Sequence, residues 1–334
     1  MLRSLVLASA LVATLSLSAV AQTDPRFAEI DRRAGDLKNL SSVLIARNGE
    51  VLYQRGPVDT PTNIKSASKT IITALVGIAI DKGVLSGTDQ KISTVLASSF
   101  PSAPDPRLDD ITLDNLMTMR AGLERTSGAN YGSWVASRDW VRDALARPFI
   151  DEPGGRMLYS TGNSHLLSAV LTRASNTSTL ALANEWLGTP LGFRIASWDR
   201  DRQGIYLGGN NMAISPRSLL KFGELFRNRG TVDGVRVLPE SWVTASWTPV
   251  TESFFTGHGY GYGWFSTDMA GLRVNYAWGH GGQMLYVVPG ANLTVVMTSK
   301  TDGYQRGSGY VQDLHALLGE VIIPAAMEGQ TAGH

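Results

Sequence analysis

The 334-residue sequence contains no cysteine. Disulfides, thiolate metal sites, a cysteine nucleophile and a lipidated cysteine are thereby excluded together. An excess of charge of one sign is missing too: thirty basic residues stand against twenty-nine acidic ones, for a net charge of +1. No basic block is present that could track a phosphate backbone, which argues against nucleic acid as a partner. The five histidines, at positions 165, 258, 280, 315 and 334, never take the H-E-x-x-H spacing of a catalytic zinc site. No metal and no cofactor is therefore expected. Beyond residue 21 there is no second apolar span, no repeat and no low-complexity linker.

What is present begins with Met1–Ala21: Arg3, an apolar stretch from Leu5 to Val20, and the small residues Ala19-Val20-Ala21. This is the pattern of a cleaved secretory leader, with a single membrane anchor as the alternative. The expectation is an exported chain, periplasmic or secreted, without a stable anchor once cleaved. Residues 22–334 are long enough for one catalytic domain with two lobes sharing a cleft.

A polar helix is expected over Pro25–Lys38, followed by strands Ser42–Ala46 and Val51–Tyr53 around Asn48-Gly49, a strong hairpin signal. Helices are expected at Leu113–Met119, Ser133–Ala146, Thr161–Ala174, Ser215–Arg229 and Pro239–Trp247. Strand character returns at Gly261–Ser266, Arg273–Trp278, Met284–Val288 and Leu293–Thr298, and Val311–Ile323 reads as a closing helix. Strands at both ends bracketing helices argue an α+β fold: an antiparallel sheet flanked by terminal helices, from residues 22–84 and 203–334, with a helical lobe, residues 85–202, inserted.

The chemistry centres on Ser66-Ala67-Ser68-Lys69, which opens a helix whose apolar residues Ile71, Ile72, Ala74, Leu75, Val76, Ile78 and Ala79 occupy every side. Three residues make nearly one helical turn, so Ser66 and Lys69 face the same way. Beside a core, an ammonium loses hydration, its pKa falls, and it can take a proton from a neighbouring hydroxyl. S-x-x-K arises by chance roughly once in a chain of this length, and a lysine at the start of an oily helix can also snorkel to solvent. Tyr159, at a loop-to-helix junction in Tyr159-Ser160-Thr161, could shuttle the proton if the lysine charge lowers its pKa. A buried tyrosine bonded to a carbonyl is the plainer reading. In Trp278-Gly279-His280-Gly281-Gly282-Gln283 the glycines permit close approach of a substrate backbone. There the Gln283 N–H could join that of Ser66 as an oxyanion hole.

In this order the pieces resemble the serine β-lactamase and penicillin-binding-protein superfamily, especially its class C-like branch of esterases, D-amino-acid peptidases and nylon-oligomer hydrolases. Ser66-Ala67-Ser68-Lys69 fits the first motif, Tyr159-Ser160-Thr161 the second and His280-Gly281-Gly282 the third. The resemblance spans nearly the whole mature chain and implies an acyl-enzyme on Ser66, with Lys69 and Tyr159 as the proton-transfer pair. It further implies Thr161, Asn163, His280, Gly281 and Gly282 as substrate-binding positions, and a small ester, amide or lactam as substrate.

Two departures bear on that substrate. Thr161 stands where many relatives have an amide-binding asparagine, a role Asn163 could take. His280 stands where a lysine would hold a carboxylate, and a mostly neutral imidazole does this less well. Both favour esters or uncharged amides over β-lactams or a D-Ala terminus. An α/β-hydrolase would need G-x-S-x-G, and Gly162-Asn163-Ser164-His165-Leu166 lacks the last glycine. The glycines of Gly257–Gly263 are not a phosphate-binding G-x-G-x-x-G. A module that recognises cell-wall peptide or is acylated without turnover is the competing reading of another class. The leader is tested by N-terminal sequencing of secreted protein: a start at Gln22 is expected, and a chain still beginning at Met1 or retained in the membrane contradicts export.

Overall fold

The computed structural model describes residues 25–328, so the expected leader and His334 lie outside the described residues. Asn48 and Gly49 take φ of 52° and 86°, the turn whose twist matches paired strands. It joins β1 (Leu40–Arg47) to β2 (Glu50–Arg55). The Val-Leu-Ile-Ala run of β1 does not alternate with polar residues because both faces of the strand are covered. Val43 and Ile45 belong to one apolar cluster, Leu44 and Ala46 to another.

The remaining strands are β3 (Thr62–Asn63), β4 (Ser197–Trp198), β5 (Met212–Ile214), β6 (Thr231–Val232), β7 (Val235–Arg236), β8 (Thr251–Glu252), β9 (Gly259–Tyr260), β10 (Phe265–Met269), β11 (Leu272–Gly279), β12 (Gln283–Val288) and β13 (Leu293–Ser299). The main sheet runs β2-β1-β13-β12-β11-β10-β9-β8. Val43 pairs with Met297 and Ile45 with Val295, antiparallel, so strands from both ends of the chain lie side by side as expected of an α+β fold. A small sheet, β3-β5-β4, ties the segment just before Ser66 to residues near 200 and 213.

Helices cover both faces. Ile30 of the Ala28–Asp36 helix shares a cluster with Leu314, Leu318 and Ile322 from the C-terminal run and with Val43 and Val295 of the sheet. On the opposite face the Lys69–Asp81 helix and the Pro216–Arg227 helix share a cluster with Leu44, Leu285 and Val296. From Lys69 to Ala79 every residue of its helix is buried, which is what an apolar residue on every side requires.

Several boundaries differ from the sequence reading, each for a local reason. The expected Ser133–Ala146 helix is two, Tyr131–Ala136 and Trp140–Leu145, because the Asp139 carboxylate accepts the Arg142 N–H at 2.9 Å and starts a new helix. The expected Gly261–Ser266 strand begins only at Phe265. Gly263, at φ 79°, packs against the Lys69 backbone, so the glycines before β10 form a turn under the Lys69–Asp81 helix. The closing helix runs from Tyr310 to Met327, passing through a wider π turn at Leu317–Ile322 ahead of Pro324, which has no N–H to donate.

Candidate active site

Ser66 lies in a 3₁₀ turn, Lys65–Ser68, that feeds directly into the Lys69–Asp81 helix. The turn is pinned from both sides: Ile64 N–H donates to Met212 O at 2.9 Å, and Ser68 Oγ donates to Lys65 O at 2.7 Å. Lys65 itself is held at φ 51°, uncommon for a residue with a side chain. Its N–H donates to Asn63 Oδ1 at 2.9 Å, which stabilises the bend and leaves Ser66 partly open to solvent.

Lys69 is 1% exposed. Its Nζ donates to Gly209 O at 2.7 Å, to Ser66 Oγ at 3.1 Å and to Thr161 Oγ1 at 3.3 Å. All three acceptors are neutral, and burial without a counter-charge pushes its pKa down to about 7. Tyr159 hydrogen-bonds to Ser66, and its ring centroid lies 5.0 Å from Lys69 Nζ. A lowering of the phenol pKa by the lysine charge, the condition set for a proton shuttle, is not found. Burial pushes Tyr159 up to about 12, outweighing the opposing hydrogen bond from Ser66. With Lys69 itself titrating near neutrality there is little fixed positive charge to act on the phenol.

The second motif opens the Thr161–Ser175 helix. The N–H groups of its first turn have no partner within the helix, and the first two find theirs in the Thr126-Ser127 loop. Thr161 N–H donates to Ser127 Oγ at 2.9 Å and Gly162 N–H to Thr126 Oγ1 at 2.7 Å. Ser127 Oγ also lies 3.0 Å from Thr161 Oγ1, so a hydroxyl chain runs from the Thr126-Ser127 loop to Lys69. Gly209, at φ 82°, supplies the shortest bond to Lys69; a Cβ there would lie 2.4 Å from Lys69 Cγ. Sequence reasoning passed over Ser127 and Gly209, which sit in loops without periodicity.

The third motif is the turn from β11 to β12. Gly279 allows its approach to Ser66: a Cβ there would lie 2.1 Å from the Ile64 carbonyl oxygen. Gly281 and Gly282 take φ of 81° and 91° and pack against Thr301 and against Tyr310 and Leu314, without themselves lining the cleft. Gln283 is the first residue of β12, which packs on the Ser66 turn, and its side chain is tied to Ser299. Of the substrate-binding positions expected from the sequence, Thr161 and His280 line the cleft, whereas Asn163 is buried in its helix off that lining.

The cleft holds about 670 Å³ and carries no acidic side chain in its lining. It does carry Lys65, Arg125 and Arg306, none of which has an ion-pair partner among the described residues. His280 is held below its ordinary pKa by partial burial, then by Arg306 and Lys65, so it is neutral at pH 7. The neutral imidazole agrees with the sequence reading, which took no account of other cations in the cleft. Two cations stand close enough to His280 to repel its proton: Lys65, from the turn that carries Ser66, and Arg306, from a turn no motif marks.

The beta-lactamase family model matches residues 41–319. An uncharacterised protein from Alkalihalophilus pseudofirmus is 24% identical over 291 residues, covering 79% of this chain and 81% of its own. Among solved structures, EstCE1, described as a hydrolase with promiscuous acyltransferase activity, superposes with a TM-score of 0.70 at 21% identity, over 87% of this chain and 96% of its own. Simvastatin synthase (LovD) from Aspergillus terreus gives a TM-score of 0.69 at 16% identity, over 90% and 98%. At such identities these two likenesses are of fold, and the family match carries the assignment: the chain belongs to the beta-lactamase family, and is a serine hydrolase of the β-lactamase and penicillin-binding-protein superfamily.

Proposed function

We propose that this chain is an exported hydrolase of small esters or amides working through an acyl-enzyme on Ser66. The carrying observation is the buried Lys69 ammonium with only neutral acceptors, 3.1 Å from Ser66 Oγ. In its neutral form Lys69 accepts the Ser66 hydroxyl proton as Oγ attacks the substrate carbonyl. The developing oxyanion is received by the backbone N–H groups of Ser66 and Gln283. Tyr159, a protonated phenol across the working pH range, relays the proton from Lys69 to the leaving alcohol or amine. Water then attacks the acyl-enzyme as Lys69 takes its proton, and Lys69 returns that proton to Ser66 Oγ as the acid leaves, restoring both groups. Thr161 and the Gly209 carbonyl hold the Lys69 head group on Ser66 throughout.

Ester chemistry is supported by the neutral His280, by the Thr161 hydroxyl in place of an amide, and by the aromatic side chains on the cleft wall. A second reading, a β-lactamase or a D-Ala-D-Ala carboxypeptidase, is favoured by Lys65 and Arg306. They supply beside His280 the positive charge that a substrate carboxylate needs.

Ser66→Ala, Lys69→Ala and Tyr159→Phe should each lower kcat by roughly a hundredfold or more with the fold retained, and the Lys69/Tyr159 double variant should lose less than the product of the single losses. The pH profile gives the sign. Protonated Lys69 cannot act as a base, so kcat/KM should fall as pH drops through about 7. Strictly multiplicative losses, or a profile flat from pH 8 to 5, contradict the assignment. A nitrophenyl ester and a chromogenic cephalosporin, compared on one preparation with intact-mass detection of the adduct, separate the two readings. Faster ester turnover is expected, and faster cephalosporin turnover favours the second.

A further inference from the structure

The loop between β8 and β9 carries two consecutive phenylalanines at the cleft mouth, Phe254 at 63% and Phe255 at 41% exposure. Single exposed apolar residues are ordinary, but an adjacent aromatic pair beside a nucleophile calls for an occupant. The pair is held in place rather than loose. Phe255 meets Tyr159 edge-on at 5.6 Å and Trp278 at 5.5 Å between ring centroids. Phe254 stands perpendicular to Phe255 at 4.9 Å, with the Arg125 guanidinium 5.5 Å from its ring centre.

The cleft does not end there. Phe254 and Arg125 also line a second, open cavity of about 840 Å³, so these two residues are the wall between the spaces. The far side of that wall is mixed: Ile150, 48% exposed, Met157 and Leu158 line it together with the charged Glu124, Arg156 and Glu252. Aromatic contacts thus run from the Tyr159 ring over Phe255 to Phe254, and Phe254 and Ile150 line the same second cavity.

We propose that this path is a substrate subsite, and that the chain prefers esters or amides in which one half is a medium-length alkyl or an aryl group. The apolar half lies along Phe255 and Phe254 and reaches the second cavity, so Phe254 and Ile150 set how long it can usefully be. Continuity with the cleft, through two shared residues, selects substrate as the occupant. The inference rests on the proposed acyl-enzyme at Ser66 and adds to it the chemical class of the substrate.

The test is kcat/KM of the full chain on two ester series: nitrophenyl esters from acetate to octanoate, and acetates of alcohols of increasing length. Burial of each added methylene should raise kcat/KM about two- to fourfold in one series until the path is filled. Phe254→Ala should flatten that rise, Ile150→Ser should end it at a shorter chain, and Phe254→Leu, which keeps an apolar surface, should retain most of it. Acetate turnover with no length dependence in either series, or an undiminished slope in Phe254→Ala, overturns the subsite while leaving the acyl-enzyme reading intact. Absence of turnover and of a Ser66 adduct with every ester contradicts the acyl-enzyme reading and this proposal with it.

Discussion

One ammonium group buried without a counter-ion is the constraint on which the rest of this structure depends. Lys69 is almost fully enclosed, and its three partners are a carbonyl and two hydroxyls. Holding its pKa near 7 corresponds to a cost on the order of 5 kcal/mol at or below that pH, relieved as pH rises toward the ordinary lysine value. That is comparable to the whole net stability of many domains, roughly 5–15 kcal/mol. A carboxylate beside Lys69 would remove the cost and with it the base, because a paired lysine stays protonated.

The fold supplies the compensation where it is needed. Ile71, Ile72, Leu75, Val76 and Ile78 of the same helix are each 2% exposed or less. At about 1.5–3 kcal/mol for each such side chain, they outweigh one desolvated ammonium and keep the helix from sliding to let Lys69 reach water. The surrounding backbone closes in through glycine: Gly209 on the Lys69 side chain, Gly263 on its main chain, Gly279 on the turn before Ser66. The sheet reaches the site at that last contact, where β11 and β12 deliver their turn to Ser66.

The sequence made the buried helix, the first hairpin and the return of strands at the C-terminal end legible because each has a period or a turn signature of its own. Ser66, Lys69 and Tyr159 were legible by one-turn spacing and by the order of three short motifs, and they do converge. Gly209, Ser127, Arg125 and Arg306 were not. They reach the site from loops, where no repeat ties a residue to a place, and only the folded chain shows that two cations flank His280. The raised Tyr159 pKa was illegible for the same reason: its ring packs against Phe255 and Tyr260, around a hundred positions away, and desolvation wins over a charge that Lys69 largely lacks.

The central claim, that Lys69 becomes neutral near physiological pH because it is buried among neutral acceptors, can be measured without any substrate. In protein labelled with ¹³C at lysine Cε, the Lys69 resonance, assigned by its loss in Lys69→Arg, should titrate with a midpoint near 7. A midpoint near the ordinary lysine value would leave Lys69 a fixed cation at working pH and would contradict the account.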